Sequence, residues 1–301
     1  MTEPRWLLLG QAVFATFLWS ASKIMLKIGL DFVSPLTIIG IVQAVAAIGL
    51  WIFTSFSKTK VSWTFNRQEL GALVILGWAG FVIAPVLSII GLNYVAGTTA
   101  GLVAGLGSLM VMSLSWVILK ETPRWWQISG AIIAGLGAYL FLGGQVLGGS
   151  AFGLTMLFLA ELGYALNIVL TRLIMRRPGD DELAVALVGT TIGAIVLLPA
   201  GLTIGGTAGL DLWQPWVIAI GVGLMFALAG VLWNSALNLL LSFEVAILQN
   251  TMIVQVAILS AIFLHESITW YHIAGAIIVI AGAFLVNHKT VKRKAYGAGG
   301  T

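Results

Sequence analysis

Ionisable and amide side chains stand here inside stretches that are otherwise apolar. Each must find a partner or water there, because a charge at the centre of hydrocarbon costs about 2.5–3.5 kcal/mol on insertion scales. Glu161 lies about ten residues into the apolar stretch 151–174, near its middle at about 1.5 Å of rise per residue. A carboxylate there can bind a substrate amine or exchange a proton; it can equally be a neutral acid hydrogen-bonded to a neighbouring helix. Lys23, in the outer third of the stretch 6–29, either snorkels to the interface or partners Glu161 or a substrate carboxylate. Trp19, Tyr164 and Trp233 lie deeper than an interfacial belt, so they stack on a flat solute or pack the bundle. Asn234 and Asn238 are four apart and share a helical face. With Asn93, Asn167 and Gln249 they complete the candidate substrate-binding set, the alternative for each being a hinge or an interhelical hydrogen bond.

Other chemistry is poorly provided for. The chain has no Cys, so it offers no disulfide, thiolate metal site or thiol nucleophile. Its three His, His265, His272 and His288, cluster near the last apolar stretch. No His-Glu-x-x-His, nucleophile–His constellation or Gly-x-x-x-x-Gly-Lys-Ser/Thr loop occurs. The expectation is a protein that is not an enzyme, uses no cofactor or metal and hydrolyses no ATP.

The elements that must hold these residues follow from composition. With 59% of 301 residues hydrophobic and only 9% charged, a water-soluble globule is excluded. Ten candidate helices, each near the ~20 residues that cross a ~30 Å hydrocarbon core, fall at 6–29, 34–56, 69–92, 95–118, 124–143, 151–174, 183–201, 214–240, 244–264 and 269–287. Trp6, Trp125, Trp126, Trp213, Trp216, Trp270 and Tyr271 form the interfacial belt. The fold class expected is an all-α integral membrane protein.

The chain also repeats itself. Leu119-Lys120-Glu121-Thr122-Pro123-Arg124-Trp125-Trp126-Gln127-Ile128-Ser129-Gly130-Ala131-Ile132-Ile133 returns 145 positions later as Leu264-His265-Glu266-Ser267-Ile268-Thr269-Trp270-Tyr271-His272-Ile273-Ala274-Gly275-Ala276-Ile277-Ile278. The same offset carries Asn93 to Asn238, Lys27 to Arg172, Trp19 to Tyr164 and Thr16 to Glu161. Five candidate helices per repeat is an odd number, so helix and counterpart cross in opposite directions and the halves form an inverted repeat. The basic residues Arg5, Lys58, Lys60, Arg67, Lys120, Arg124, Arg172, Arg176, Arg177, Lys289, Lys292, Arg293 and Lys294 gather on one side, against Lys23 and Lys27 on the other. Both termini are therefore expected in the cytoplasm. Glu121 and Glu266 are expected at the water interface, each just before a helix N-cap, Thr122 or Ser267. The spacing Gly97-x-x-x-Gly101-x-x-x-Gly105, with Gly107 beyond, reads as close helix packing.

Two five-helix halves, each with Glu at a short loop followed by Trp, Gly-Ala-Ile-Ile and a second Gly, resemble the EamA domains of the drug/metabolite transporter (DMT) superfamily. Lys120 and His265 stand where many members have Gly. The resemblance implies repeats at 6–143 and 151–287 around a central cavity, a cytoplasmic tail at 288–301 and alternating access at the plasma membrane (bacterial inner membrane). Within the superfamily the chain is similar to YddG-type exporters of aromatic amino acids. The function implied is secondary transport exporting small organic solutes, aromatic amino acids or related metabolites first. Hydrophobic cations, nucleosides and lipid-linked sugars are the other substrate classes. Partners are then a small-molecule substrate and membrane lipid, with no nucleic acid; oligomeric state stays open, a monomer among its possibilities.

Overall fold

The computed structural model describes residues 5–56, 61, 63, 65–92, 94–95, 97–141, 150–175, 182–263 and 269–287. Among these, every extended regular element is a helix: α1 (Arg5–Gly29), α2 (Pro35–Phe56), α3 (Arg67–Trp78), α4 (Ala84–Leu92), α5 (Gly97–Leu114), α6 (Trp125–Phe141), α7 (Ala151–Ile174), α8 (Glu182–Ala200), α9 (Gln214–Leu239), α10 (Ser242–Ala246), α11 (Thr251–Phe263) and α12 (Trp270–Asn287). Eight stretches are long and apolar enough to cross a membrane, namely Arg5–Leu26, Pro35–Phe56, Arg67–Gly91, Ala151–Ile174, Leu183–Gly205, Gln214–Leu237, Ser242–Phe263 and Trp270–Asn287. Leu106–Leu119 and Trp125–Phe141 are shorter apolar helices. The second of these, 17 residues, rises only about 25 Å, which is less than the ~30 Å core.

The outside of the bundle is greasy, as lipid contact requires. Phe53, Trp116, Leu136, Ile195, Ile277 and Phe284 are exposed, an arrangement water would penalise. Inside, small residues set the helix spacing. A Cβ built on Gly137 would stand 2.6 Å from Val279 N, and one on Gly282 2.5 Å from Ala134 N. With Gly130 against Val286 and Gly275 against Phe141, partner numbers fall along α12 as they rise along α6, so the two helices run antiparallel. Gly40 meets Leu197 and Gly201 meets Leu36 in the same way between α2 and the α8 end. Around these pairs, α1 packs on α9 and α11, while α7 packs on α3, α4 and α5.

Three helices carry π turns that the sequence reading missed: Ala79–Ile83 between α3 and α4, Ser115–Leu119 after α5, and Gly201–Gly205 after α8. The first has a cause. Pro85 has no N–H to offer the carbonyl four residues back, and its ring crowds that carbonyl. The carbonyl is that of Phe81, which Gln43 Nε2 approaches at 3.4 Å from α2. The third carries the helix four residues past the expected end at 201, until Gly206 turns out with φ +82°. The stretch expected as one helix from 244 is broken too: α10 passes through a 3₁₀ segment, Ile247–Asn250, into α11.

Candidate functional site

Two helices that belong to different packing groups bring the ionisable residues together. Lys23 on α1 is exposed and Glu161 on α7 is half-buried, yet their charges interact. An ammonium on α1 and a carboxylate on α7 therefore stand within electrostatic reach of each other. No hydrogen bond joins either side chain to a described residue, and the two do not close into an ion pair. Tyr164, half-buried one turn beyond Glu161, lies within the same field. Glu161 reaches toward α5, where Gly107 leaves room for Oε2.

The aromatic candidates stand on the same two helices and on α9: Trp19 on α1, Tyr164 on α7 and Trp233 on α9. Trp19 and Trp233 are tilted against one another with centroids 5.1 Å apart, and Phe226 stands 6.2 Å from Trp19. Trp233 is only 4% exposed and belongs to the apolar core, so its ring supports Trp19 from behind. Trp19 is half-buried, and its Nε1 has no hydrogen-bond acceptor among the described residues. A buried donor without an acceptor is a costly feature, about 1–3 kcal/mol, that a ligand oxygen can relieve.

The remaining candidates scatter. Asn167 donates Nδ2 to Leu76 O at 3.1 Å beside the first π turn, with Gly80 opened to admit it. Asn234 is buried within α9. Gln249 is half-buried in the 3₁₀ break that precedes α11. Asn93 lies outside the described residues, as do Glu266 and Ser267, and so does the side chain of Asn238. Among the described residues no group of His, Cys, Asp or Glu is arranged to hold a metal ion.

Two polar networks were not foreseen. In the first, Gln255 ties α11 to α1: its Nε2 donates to Thr16 Oγ1 at 3.1 Å, and its Oε1 accepts from Ser20 Oγ at 3.0 Å. The second corrects the expected places of Glu121 and Arg172. Glu121 does not sit at the water interface but is 6% exposed; Arg172 is not a loop charge but 3% exposed in the last turn of α7. Arg172 Nε donates to Glu121 Oε1 at 3.4 Å, and its guanidinium also donates to Leu237 O. Ser242 donates through Oγ and backbone N to Glu121 Oε2 at 3.0 and 3.3 Å. Nor does Thr122 cap α6: Gln127 Oε1 accepts from Arg124 N at 2.8 Å and the helix starts at Trp125. Nearby, Arg5 and Glu244 form a two-pronged pair at 3.0 and 3.4 Å, with Glu244 also accepting from Leu241 N. The signal for the buried pair was present in the repeat, which puts a base at 27 and 172 and an acid at 121 and 266.

Comparison with known proteins agrees with this architecture. Residues 6–143 and 151–288 each match the EamA-like transporter family. The chain is 25% identical over 283 residues to the uncharacterized transporter YcxC of Bacillus subtilis (strain 168), covering 90% of this chain and 89% of that one. It is 31% identical over 124 residues to the S-adenosylmethionine/S-adenosylhomocysteine transporter of Chlamydia muridarum (strain MoPn / Nigg), 41% of this chain and 38% of the relative. One protein of known crystal structure shares the fold with a TM-score of 0.78 at 16% identity, covering 94% of this chain and 96% of that one.

Proposed function

Since this chain belongs to the EamA-like transporter family, we propose that it exports small organic solutes, aromatic amino acids first among them, by alternating access through the space between α1 and α7. It is a multi-pass membrane transporter of the drug/metabolite superfamily. The reading adds ten crossings in two inverted halves, 6–143 and 151–287, in a bacterial inner membrane with both termini and the tail at 288–301 in the cytoplasm. Packing supports the inversion. Moving Gly130 forward and Val286 back by 145 gives Gly275 and Phe141, the contact at the other end of the same helix pair. Likewise the contact of Gly80 with Asn167 corresponds to that of Met225 with Ser22.

One observation carries the substrate class: an ammonium and a carboxylate within electrostatic reach that do not close into an ion pair, with an indole N–H one turn from the ammonium that lacks an acceptor among the described residues. A zwitterion satisfies all three, its carboxylate on Lys23 and Trp19, its ammonium on Glu161. Trp19 and Tyr164 offer faces to a flat side chain. An S-adenosylmethionine-like solute also carries an amino acid head group, and the Chlamydia relative keeps that second reading open over the matched residues.

Counterflow in proteoliposomes with labelled amino acids, S-adenosylmethionine, nucleosides and hydrophobic cations tests the proposal. Aromatic amino acids should exchange, and Glu161→Gln should lower their exchange at least about tenfold, as expected for loss of a charge-assisted contact worth ~1.5–3 kcal/mol, while the protein still melts cooperatively. Exchange of cations or nucleosides alone would refute the substrate class. Unchanged amino acid exchange by Glu161→Gln would remove the carboxylate from the site.

A further inference from the structure

A Cβ placed on Gly107 would stand 2.7 Å from Glu161 Oε2 and 3.8 Å from its Cδ. Gly107 lies within the regular part of α5 and has no left-handed backbone, so the position requires glycine for space and not for conformation. Nor does Gly107 belong to the Gly97, Gly101, Gly105 stripe, from which it is offset by two residues.

The other half shows what the same geometry looks like without the vacancy. Forward by 145, Gly107 becomes Met252 on α11; back by 145, Glu161 becomes Thr16 on α1. Thr16 is fully buried and its hydroxyl is already committed, donating to Val13 O at 2.7 Å and accepting from Gln255 Nε2. The counterpart of Gln255 is Met110, which has no polar group to tie α5 to α7. One helix pair is therefore fastened by hydrogen bonds; the other has an acid, a glycine opposite it and, among the described residues, no hydrogen bond fastening the acid down.

We propose that Gly107 is the positioning residue for Glu161, holding open the seat in which its carboxylate stays unpaired and turned to meet the cationic group of the solute. This rests on the assignment of Glu161 to the substrate site. In Gly107→Ala the carboxylate must move by several tenths of an ångström or more to restore an ordinary contact, and it then leaves the place the solute ammonium finds it. A glycine needed only for helix approach would act independently of what residue 161 is.

Counterflow is measured for the wild type, Gly107→Ala, Glu161→Gln, the double variant, and Gly135→Ala, whose added Cβ meets no atom within 4 Å. Gly107→Ala should raise the solute concentration needed for half-maximal exchange about tenfold, within the range of coupling between touching residues; Gly135→Ala should change it less than about twofold. The double variant should match Glu161→Gln alone, and Glu161→Asp, which withdraws the carboxylate by one methylene, should restore part of what Gly107→Ala lost. Losses that multiply in the double variant, or wild-type behaviour of Gly107→Ala, would overturn the proposal. A second readout is independent of transport: the infrared carboxyl stretch of Glu161, identified by its disappearance in Glu161→Gln, should change frequency in Gly107→Ala and not in Gly135→Ala. If no amino acid is transported and the band still moves, the export reading fails and the positioning role stands. A band that does not move overturns the positioning role whatever is transported.

Discussion

Removing one partner of the buried Glu121–Arg172 pair should destabilise the fold more than any exposed charge change. Glu121 comes from the first half of the chain; Arg172 and Ser242 come from the second. At 6% and 3% exposure neither charge has the water that reduces surface pairs to about 0–1 kcal/mol. Glu121→Ala leaves the Arg172 guanidinium buried with Leu237 O and without its carboxylate, and it deprives the Ser242 N–H and O–H of an acceptor. Breaking a buried pair costs about 3–5 kcal/mol. At ~2–4 °C per kcal/mol for a chain approaching this size, the midpoint of thermal unfolding should fall by about 10 °C. The intrinsic fluorescence of 12 Trp in detergent reports it. Replacing both partners, Glu121→Leu with Arg172→Met, should recover most of the loss, to within about 2 kcal/mol of wild type, because it buries no unpaired charge. A single variant melting within about 2 °C of wild type, or a double variant as unstable as the single, would show that the pair carries no such weight.

Two further outcomes follow from backbone geometry. Lys120 has φ 55° and ψ 27° at the end of the second π turn, a left-handed conformation costing a side chain about 1–2 kcal/mol, against the ~0.4–1 kcal/mol of unfolded-state entropy that glycine adds. Lys120→Gly should therefore raise the melting midpoint by a few degrees and leave transport unchanged; a lower midpoint would mean that the side chain makes a contact outweighing the strain. Gly137→Val drives a branched side chain at Val279 N and Ile278 C, 2.6 and 2.9 Å from the Cβ position. Because backbone cannot step aside, it should cost at least about 3 kcal/mol and sharply reduce the monodisperse fraction in gel filtration, whereas Gly135→Val at an open position should not.

Helix positions were largely legible because apolar length is a strong signal: Ala151–Ile174 coincides with the stretch read from sequence, and most other ends agree within three residues. What escaped were departures from regular helix. A π turn costs the sequence nothing visible; only Pro85 and Pro199 hinted at two of the three, and the third ends at a lysine in a conformation that glycine would ordinarily mark. Arg172 escaped for a different reason. Its number places it at a helix end among Arg176 and Arg177, where charge normally meets water, and its burial rests on partners distant in sequence, the Glu121 carboxylate 51 positions away and Leu237 O.

The repeat itself sorts these roles, though not by the simple division into repeated scaffold and unrepeated site. Thr16 breaks the repeat with Glu161 and yet serves the scaffold, through Gln255 and Ser20. Trp19 and Tyr164 respect the repeat as an aromatic pair, one on the helix of Lys23 and the other on the helix of Glu161. Hydrogen-bond completion is the better criterion. A duplicated helix pair gives each half the same backbone, so a polar side chain that could be satisfied by the neighbouring helix usually is, as for Thr16 with Gln255 and Asn167 with Leu76 O. Where the neighbour withholds a partner, as α5 does by placing Gly107 opposite Glu161, the unsatisfied group costs stability that packing must offset. Among the described residues Trp19 Nε1, Lys23 and Glu161 have no hydrogen-bond partner, a property that sequence alone could not reveal because it depends on what the neighbouring helices fail to provide.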